Sequence, residues 1–457
     1  MPRDGSARVA RWSSHRAFLF VAVGATVGLG NVWRFPGLVA EHGGILFVGV
    51  YLAALLLLAM PLLLAELALA RRATGGLTAT FGGEVRRALA APAWRAFPWL
   101  VLGAAWTVLA VLVLGGSWLL AYLAHALPGG FAESTARGVA LHFDRLAGSP
   151  ASGLGWLTLF LAAATAISAA GIARGLERAM VGGLLVVVAC WGLVTLLWLP
   201  DGRLGGAVDL LLTPDWDALG PVGVREALVQ AFYTLTLGAG VMHALAVHLP
   251  PGGSLPGIAA RIALGDTLFA LLATLLVLAG LAAAGLAPTA GPRLLFESLP
   301  LALARLQAPA WIAAPLYLGF VTVAWMTTLA LFEPLVLALA DRRGFDRARA
   351  AVAVGVSLWV AGGVVLVSLA GSRGGRWVGQ GPFGWLEYLG GHLLVPLVGL
   401  LMALFVGWLW PERARRRALP LVPVGLYRAW LVLLRYLVPA WLVLLLAAVT
   451  GILPGPP

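Results

Sequence analysis

Two glycine-bearing segments interrupt apolar stretches of this chain, Val27 to Asn31 (VGLGN) and Thr236 to Gly240 (TLGAG). A glycine inside a helix costs up to ~1 kcal/mol against alanine, so a Gly-x-Gly pair is a natural place for a helix to break. A break frees amide N–H groups on one side and carbonyls on the other. The N–H end carries partial positive charge and suits an anion such as a carboxylate, whereas the carbonyl end suits a hard cation. Gly28, Leu29 and Gly30 would supply such amides, and Asn31 adds a side-chain oxygen. A third chemically active residue is Asp266, an acid inside a long apolar run, where ionisable groups are costly and usually functional. Taken singly, each motif could instead serve close helix packing, and Asp266 could reach water from the mouth of its span. The matched pair of breaks weighs against packing alone.

The elements that must position these groups follow from composition. The chain has 457 residues, 61% hydrophobic and 11% charged, with a mean hydropathy of +0.94. A soluble fold could not bury so much apolar surface, so lipid must solvate it. Apolar runs long enough for a hydrocarbon layer of about 30 Å recur throughout. Eleven spans are expected, near 15–38, 43–72, 93–127, 153–173, 177–199, 226–249, 258–288, 310–340, 345–371, 384–410 and 426–450. The runs are continuous and rich in Leu and Ala, unlike the short alternating strands of a barrel. The longest non-spanning stretches are 128–152, 200–225 and 289–309, none long enough to separate domains, so a single transmembrane domain over 1–457 is expected.

The net charge of +12 comes wholly from Arg, with no Lys. In a soluble protein it would suggest nucleic acid, but its distribution points to the bilayer. Arg clusters at the N-terminus, after span two (Arg71, Arg72, Arg86, Arg87, Arg95), after span eight (Arg342, Arg343, Arg347, Arg349) and at Arg413 to Arg417, while Asp144, Asp201, Asp209, Asp215 and Asp217 fall on the opposite loops. By the positive-inside rule the protein is placed in the inner (plasma) membrane with a cytoplasmic N-terminus and an outside C-terminus. No small-residue cleavage site follows the first span, which reads as a retained helix. Cys190, the single cysteine, allows no intramolecular disulfide.

The two breaks fall in spans one and six. An offset of five spans inverts the second copy relative to the first, the signature of inverted repeats with a site at their interface. Repeat one would cover about 15–199 and repeat two about 226–410, with an extra helix at about 426–450. This pattern points to a secondary transporter. An embedded enzyme would need a nucleophile with a base or a metal cluster, and the sequence offers seven scattered His, no HExxH and one Cys.

VGLGNVWRFP at Val27 to Pro36, MPLLLAEL at Met60 to Leu67, Gly75-Gly76, QAFYTLTLGAG at Gln230 to Gly240 and ALFEP at Ala330 to Pro334 closely resemble the neurotransmitter:sodium symporter family of LeuT type. The resemblance covers spans one to ten and is weakest in span three and the outer loops. It implies an all-α fold of 5+5 inverted repeats with discontinuous helices one and six. It implies sodium symport of a small zwitterionic or carboxylate-bearing, amino-acid-like solute by alternating access. An uncoupled or proton-coupled carrier, or a sensor, on the same scaffold is the alternative.

By the same resemblance the substrate pocket would draw on Thr26, Gly28, Leu29, Gly30, Leu112, Tyr233, Thr234, Thr236 and Gly238. A first sodium site would use the Thr26 carbonyl, Asn31, Thr234 and Asp266, completed by the substrate carboxylate. Some relatives place a Glu one turn beyond Asp266 where this chain has Ala270; Asp266 can itself supply the negative charge, which argues against a chloride requirement. A second sodium site would use carbonyls of Gly24, Val27 and Val323 with Thr327. Here Met326 replaces an oxygen-bearing side chain, and a thioether is a poor partner for sodium. A weakened second site and no second site are both open.

Span three departs as well, with Leu112 standing where the family has a tyrosine that reaches the substrate carboxylate. Gly28, where monoamine carriers have Asp, favours a substrate that brings its own acid. The implied gates are Arg34 with Glu387 on the outside and Asp341 on the inside, paired with Arg8 or Arg11 because the usual Arg position is Val9. Trp12 would plug beneath. Glu66 is expected to brace a broken helix, and His248 and Glu333 to act at the inner gate. Sequence leaves the substrate, the ion stoichiometry and the oligomeric state undecided.

Overall fold

The computed structural model describes residues 11–73, 75–129, 131, 135–289, 291–341, 345–371 and 381–452. Within them the chain is helical from end to end, with no strand. Lipid offers no partner for a peptide group, so each crossing segment must satisfy its own backbone as a helix.

Nine helices among the described residues are long and apolar enough to cross a bilayer. They are Ile45–Ala70 (span two), Pro92–Ala126 (three), Pro150–Ala169 (four), Ile172–Trp198 (five), Leu255–Ala283 (seven), Ala310–Ala340 (eight), Arg347–Ala370 (nine), Gly381–Leu409 (ten) and Val424–Val449 (eleven). Span one is a bent pair, His15–Thr26 and Gly30–Glu41, turning by 53° at its break. The expected sixth span, 226–249, is also two helices, Trp216–Thr234 and the short Val241–Ala246, separated by Leu235 to Gly240.

Local chemistry sets the ends. Ser14 caps span one by accepting from the Ala17 amide, and Ser254 caps span seven by accepting from Gly257. Proline sits in the first turn of several helices, among them Pro98 and Pro256, where its missing N–H costs nothing. The helix before the second break begins earlier than expected, at Trp216, with a kink at Gly220 (φ 42°) and Pro221.

The non-spanning stretches hold short helices. Residues 128–152 contain Ala136–Gly148, 200–225 contain Gly205–Leu212, and 289–309 contain Leu299–Arg305. Ala136–Gly148 buries Val139, Phe143, Leu146 and Ala147 on one face. Too short to cross, these segments carry only a local apolar stripe, which a search for long runs overlooks.

Span eight is the core helix, with 78% of its central window buried, whereas span eleven has 22% buried and faces lipid. Spans three and five pack along span eight. Close approach needs small residues: a Cβ at Gly319 of span eight would lie 2.0 Å from Trp191 Nε1 of span five, and one at Gly116 would lie 2.4 Å from the Phe160 ring of span four. This rigid frame surrounds spans one and six, whose breaks face each other at its centre.

Candidate functional site

The two breaks are made differently. The first helix ends at Thr26, and Val27 is extended (φ −65°, ψ 90°) before the chain re-enters a helix at Leu29. Gly28 and Gly30 need no left-handed backbone here. A Cβ at Gly28 would stand 3.4 Å from Thr327 Oγ1, in van der Waals contact with span eight, whereas Gly30 faces open space. In the second break Thr236 (φ 51°), Gly238 (φ 76°) and Gly240 (φ 69°) all take positive φ. Gly238 and Gly240 do so at little cost, but Thr236 is strained, the kind of local cost that functional segments retain.

Glu66 holds the second break. Its Oε1 accepts from the Gly238 amide at 3.1 Å, and its side chain is buried at 1% exposure. The expected brace therefore acts on span six. Gly238 itself does not line the cavity. It packs beneath it, where a Cβ would lie 2.5 Å from the Val395 carbonyl of span ten.

Beside the breaks three polar side chains converge. Asn31 Nδ2 donates to Asp266 Oδ1 at 2.7 Å, and the Thr234 hydroxyl lies 2.5 Å from Asp266 Oδ2 and 3.1 Å from Asn31 Oδ1. All three are buried, Asp266 completely. Thr26 Oγ1 donates back to the Val23 carbonyl at 2.9 Å, and Tyr51 is buried against Asp266 from span two. Among the described residues Asp266 has no ion-pair partner. A carboxylate so placed, ringed by amide and hydroxyl oxygens, fits a hard monovalent cation, because oxygen ligands suit such ions and buried charge calls for a counter-charge. The residues expected for a first sodium site are therefore together.

Above this cluster lies a cavity of about 530 Å³. Thr26, Gly28, Leu29, Gly30, Asn31, Leu112, Tyr233, Thr234, Thr236 and Thr327 line it, as do Arg34 and Glu387 near its mouth. The mouth lies beside Ala448 and Val449, the C-terminal end of span eleven. Tyr233 leans over the cavity with its hydroxyl donating to the Gly391 carbonyl at 2.6 Å, which ties span six to span ten. Gly24, Val27 and Val323 lie outside the lining, on the side of span one that meets spans five and eight.

The gates differ from expectation. Arg34 pairs with Glu226, Nη2 to Oε2 at 2.8 Å, and donates more weakly to Gln230 at 3.4 Å. Glu387 is on the same cavity wall but is not bonded to Arg34. Glu226, on the helix of span six, stands next to Arg34 and takes its guanidinium. Glu226 also accepts from Arg225 at 2.9 Å.

On the opposite face Asp341 does not meet Arg11 among the described residues. Its Oδ2 accepts from the Gly76 amide at 2.7 Å, capping the helix Leu77–Arg87 that follows span two. Arg8 lies outside the described residues. Trp12 is buried as expected, its Nε1 donating to the Leu245 carbonyl at 2.8 Å and its amide to the His248 carbonyl at 3.1 Å. Glu333 is held by both terminal nitrogens of Arg347, at 2.9 and 2.6 Å, with His248 Nε2 at 3.6 Å. Arg71 adds a clamp, donating to the carbonyls of Gly252 and Gly253 at 2.7 and 2.8 Å.

Several lining residues escaped the sequence reading, notably Glu226, Gln230, Val108, Leu331 and Val395. A signal existed for two of them. Glu226, Gln230 and Tyr233 fall at i, i+4 and i+7, one stripe of a helix whose last turn was already suspect. Nothing local marks Val108 or Leu331, which are apolar residues in apolar spans.

Comparison with known proteins agrees with this geometry. A sequence model of the sodium:neurotransmitter symporter family matches residues 9–125. An uncharacterized sodium-dependent transporter of Haemophilus influenzae is 26% identical over 440 residues, 94% of this chain and 95% of its own. The uncharacterized sodium-dependent transporter YhdH of Bacillus subtilis is 26% identical, covering 97% of this chain and 98% of its own. The solved structure of MhsT in complex with L-phenylalanine superimposes with a TM-score of 0.83 at 27% identity, over 96% of this chain and 99% of that one. Motif, full-length relatives and fold agree: the chain is similar to the sodium:neurotransmitter symporter family over residues 9–125, to sodium-dependent transporters along nearly its whole length, and shares the fold of MhsT.

Proposed function

We propose that this protein is a sodium-coupled symporter of a small zwitterionic, amino-acid-like solute, working by alternating access. The single observation that carries the reading is the Asn31–Thr234–Asp266 cluster, buried at the floor of the 530 Å³ cavity and built from both broken helices and span seven. Sodium held there would supply a positive charge beside the bound solute. Asp266, Asn31 and Thr234 would hold that ion, with the Thr26 carbonyl completing the set. The freed amides of the first break would receive a carboxylate, since Gly30 leaves space for one to approach. Asp266 already provides the site's negative charge, so transport would not require chloride.

The rest of the cavity wall favours an apolar substituent. Leu29, Val108, Leu112, Leu331 and Val395 surround it. With Leu112 in place of a hydroxyl donor, orientation of the solute rests on the breaks and on Thr236 and Thr327. MhsT, similar over nearly its whole length, has L-phenylalanine bound, which supports testing apolar amino acids first.

We read the chain as one domain in which the repeats 15–199 and 226–410 rock about the breaks, with 426–450 appended. The arginine-rich face and the N-terminus would be cytoplasmic and the cavity mouth outside, in the plasma membrane. The test is uptake of radiolabelled amino acids into proteoliposomes under an inward sodium gradient. Accumulation that collapses when choline replaces sodium is expected. Unchanged uptake in choline would sink the symport reading, and accumulation driven by a pH gradient alone would favour a proton-coupled carrier using Asp266.

A further inference from the structure

We propose that this transporter couples to one sodium ion per cycle, because the second cation position that its family implies is built here as a hydrogen-bonded, sulfur-packed hinge. The proposal rests on the sodium-coupled reading above and concerns the ion count within it.

The second position lies where the first break meets span eight. The oxygens expected there are the carbonyls of Gly24, Val27 and Val323 and the Thr327 hydroxyl, whose Oγ1 is 3.2 Å from Val27 O and 3.1 Å from Val323 O. A hydroxyl has one proton to donate, and the carbonyls of Val27 and Val323 accept it, which ties the first break to span eight without an ion. The remaining side is taken by Met326, which is 1% exposed. A Cβ at Gly24 would stand 3.2 Å from its Sδ, and one at Gly183 of span five 3.0 Å from the same atom. The thioether thus fills the wedge between spans one, five and eight.

Sodium is a hard ion that must exchange its water for oxygen ligands, and a thioether sulfur is soft and accepts weakly. Charge decides the rest. The first cluster contains Asp266, whereas the second offers only neutral dipoles. The nearby acid of span eight, Glu333, is committed to Arg347 on the inner face. A cation at the second position would lose its hydration with too few oxygens and no counter-charge to offset the cost. In this chain Thr327 and Met326 therefore join span one to span eight directly, without an ion.

The test uses the full-length purified protein and sodium itself as the probe. Equilibrium binding of radiolabelled sodium should saturate at one ion per chain, and sodium titration of thermal stability should follow a Hill coefficient of about 1. Met326→Leu, which keeps the volume, should leave both values unchanged. Met326→Thr, which returns an oxygen, should raise the bound sodium to two per chain. Asp266→Asn should weaken binding roughly 10- to 150-fold. Two ions per chain in the natural protein, a lower count in Met326→Leu, or an unchanged sodium affinity in Asp266→Asn would each overturn the proposal. Absence of sodium binding altogether would instead overturn the sodium-coupled reading on which it stands.

Discussion

Asn31 and Asp266, 235 positions apart in sequence, meet through a 2.7 Å hydrogen bond that joins the first break of span one to the middle of span seven. Thr234 closes the triangle from the other broken helix. Movement of either break must therefore deform this cluster, which ties the two broken helices to span seven.

Replacing Asp266 by Asn removes the charge but keeps a hydrogen-bonding side chain of the same size. Loss of a charged hydrogen-bond partner is worth about 1.5–3 kcal/mol, or roughly 10- to 150-fold in sodium affinity. The thermal stabilisation that sodium gives the natural protein should weaken accordingly in this variant, while its melting temperature without sodium should not fall. A preserved sodium response would remove Asp266 from the site.

Glu66 satisfies the Gly238 amide inside the bilayer. Glu66→Ala leaves that amide buried without a partner, a penalty of about 1–3 kcal/mol. Lower thermal stability in detergent is expected, with Glu66→Gln recovering part of it because a neutral amide oxygen can still accept. Equal stability of all three proteins would show that the brace contributes nothing.

The Arg34–Glu226 pair is partly exposed, with side chains 29% and 21% accessible, so its contribution to stability is small, about 0–1 kcal/mol. Its effect should appear in the cycle instead. Glu226→Gln frees Arg34 on the same wall as Glu387, and the outer mouth should close more readily. A thiol-reactive probe at a cysteine placed beside Val449 should react more slowly in this variant. Glu387→Gln should have the opposite effect, and identical labelling in both would argue against partner exchange by Arg34.

Gly319→Ala would put a methyl carbon 2.0 Å from Trp191 Nε1. Overpacking of this kind costs about 1–3 kcal/mol or more. A marked fall in melting temperature is expected, and Trp191→Leu in the same chain should recover part of it by making room. Failure of the second change to help would place the strain elsewhere.

The sequence by itself determined the environment, the all-helical fold and the two places where a helix breaks. These depend on local properties, the length of apolar runs and the backbone cost of glycine, which are legible without knowing what lies opposite. Asn31, Thr234 and Asp266 were legible as candidates because polar groups in lipid-spanning runs are expensive and need a reason. The short helices of the outer loops were not, since their burial depends on a partner surface.

Only the tertiary structure decided which groups pair. Arg34 chose Glu226 over Glu387, and Asp341 met the Gly76 amide rather than an arginine. A charge is satisfied by whichever partner the packing brings within about 3 Å, and that distance is set by the relative placement of spans far apart in sequence. The same holds for Met326. Its type warned that an oxygen was missing, but only the approach of Gly24 and Gly183 showed that its sulfur occupies the wedge.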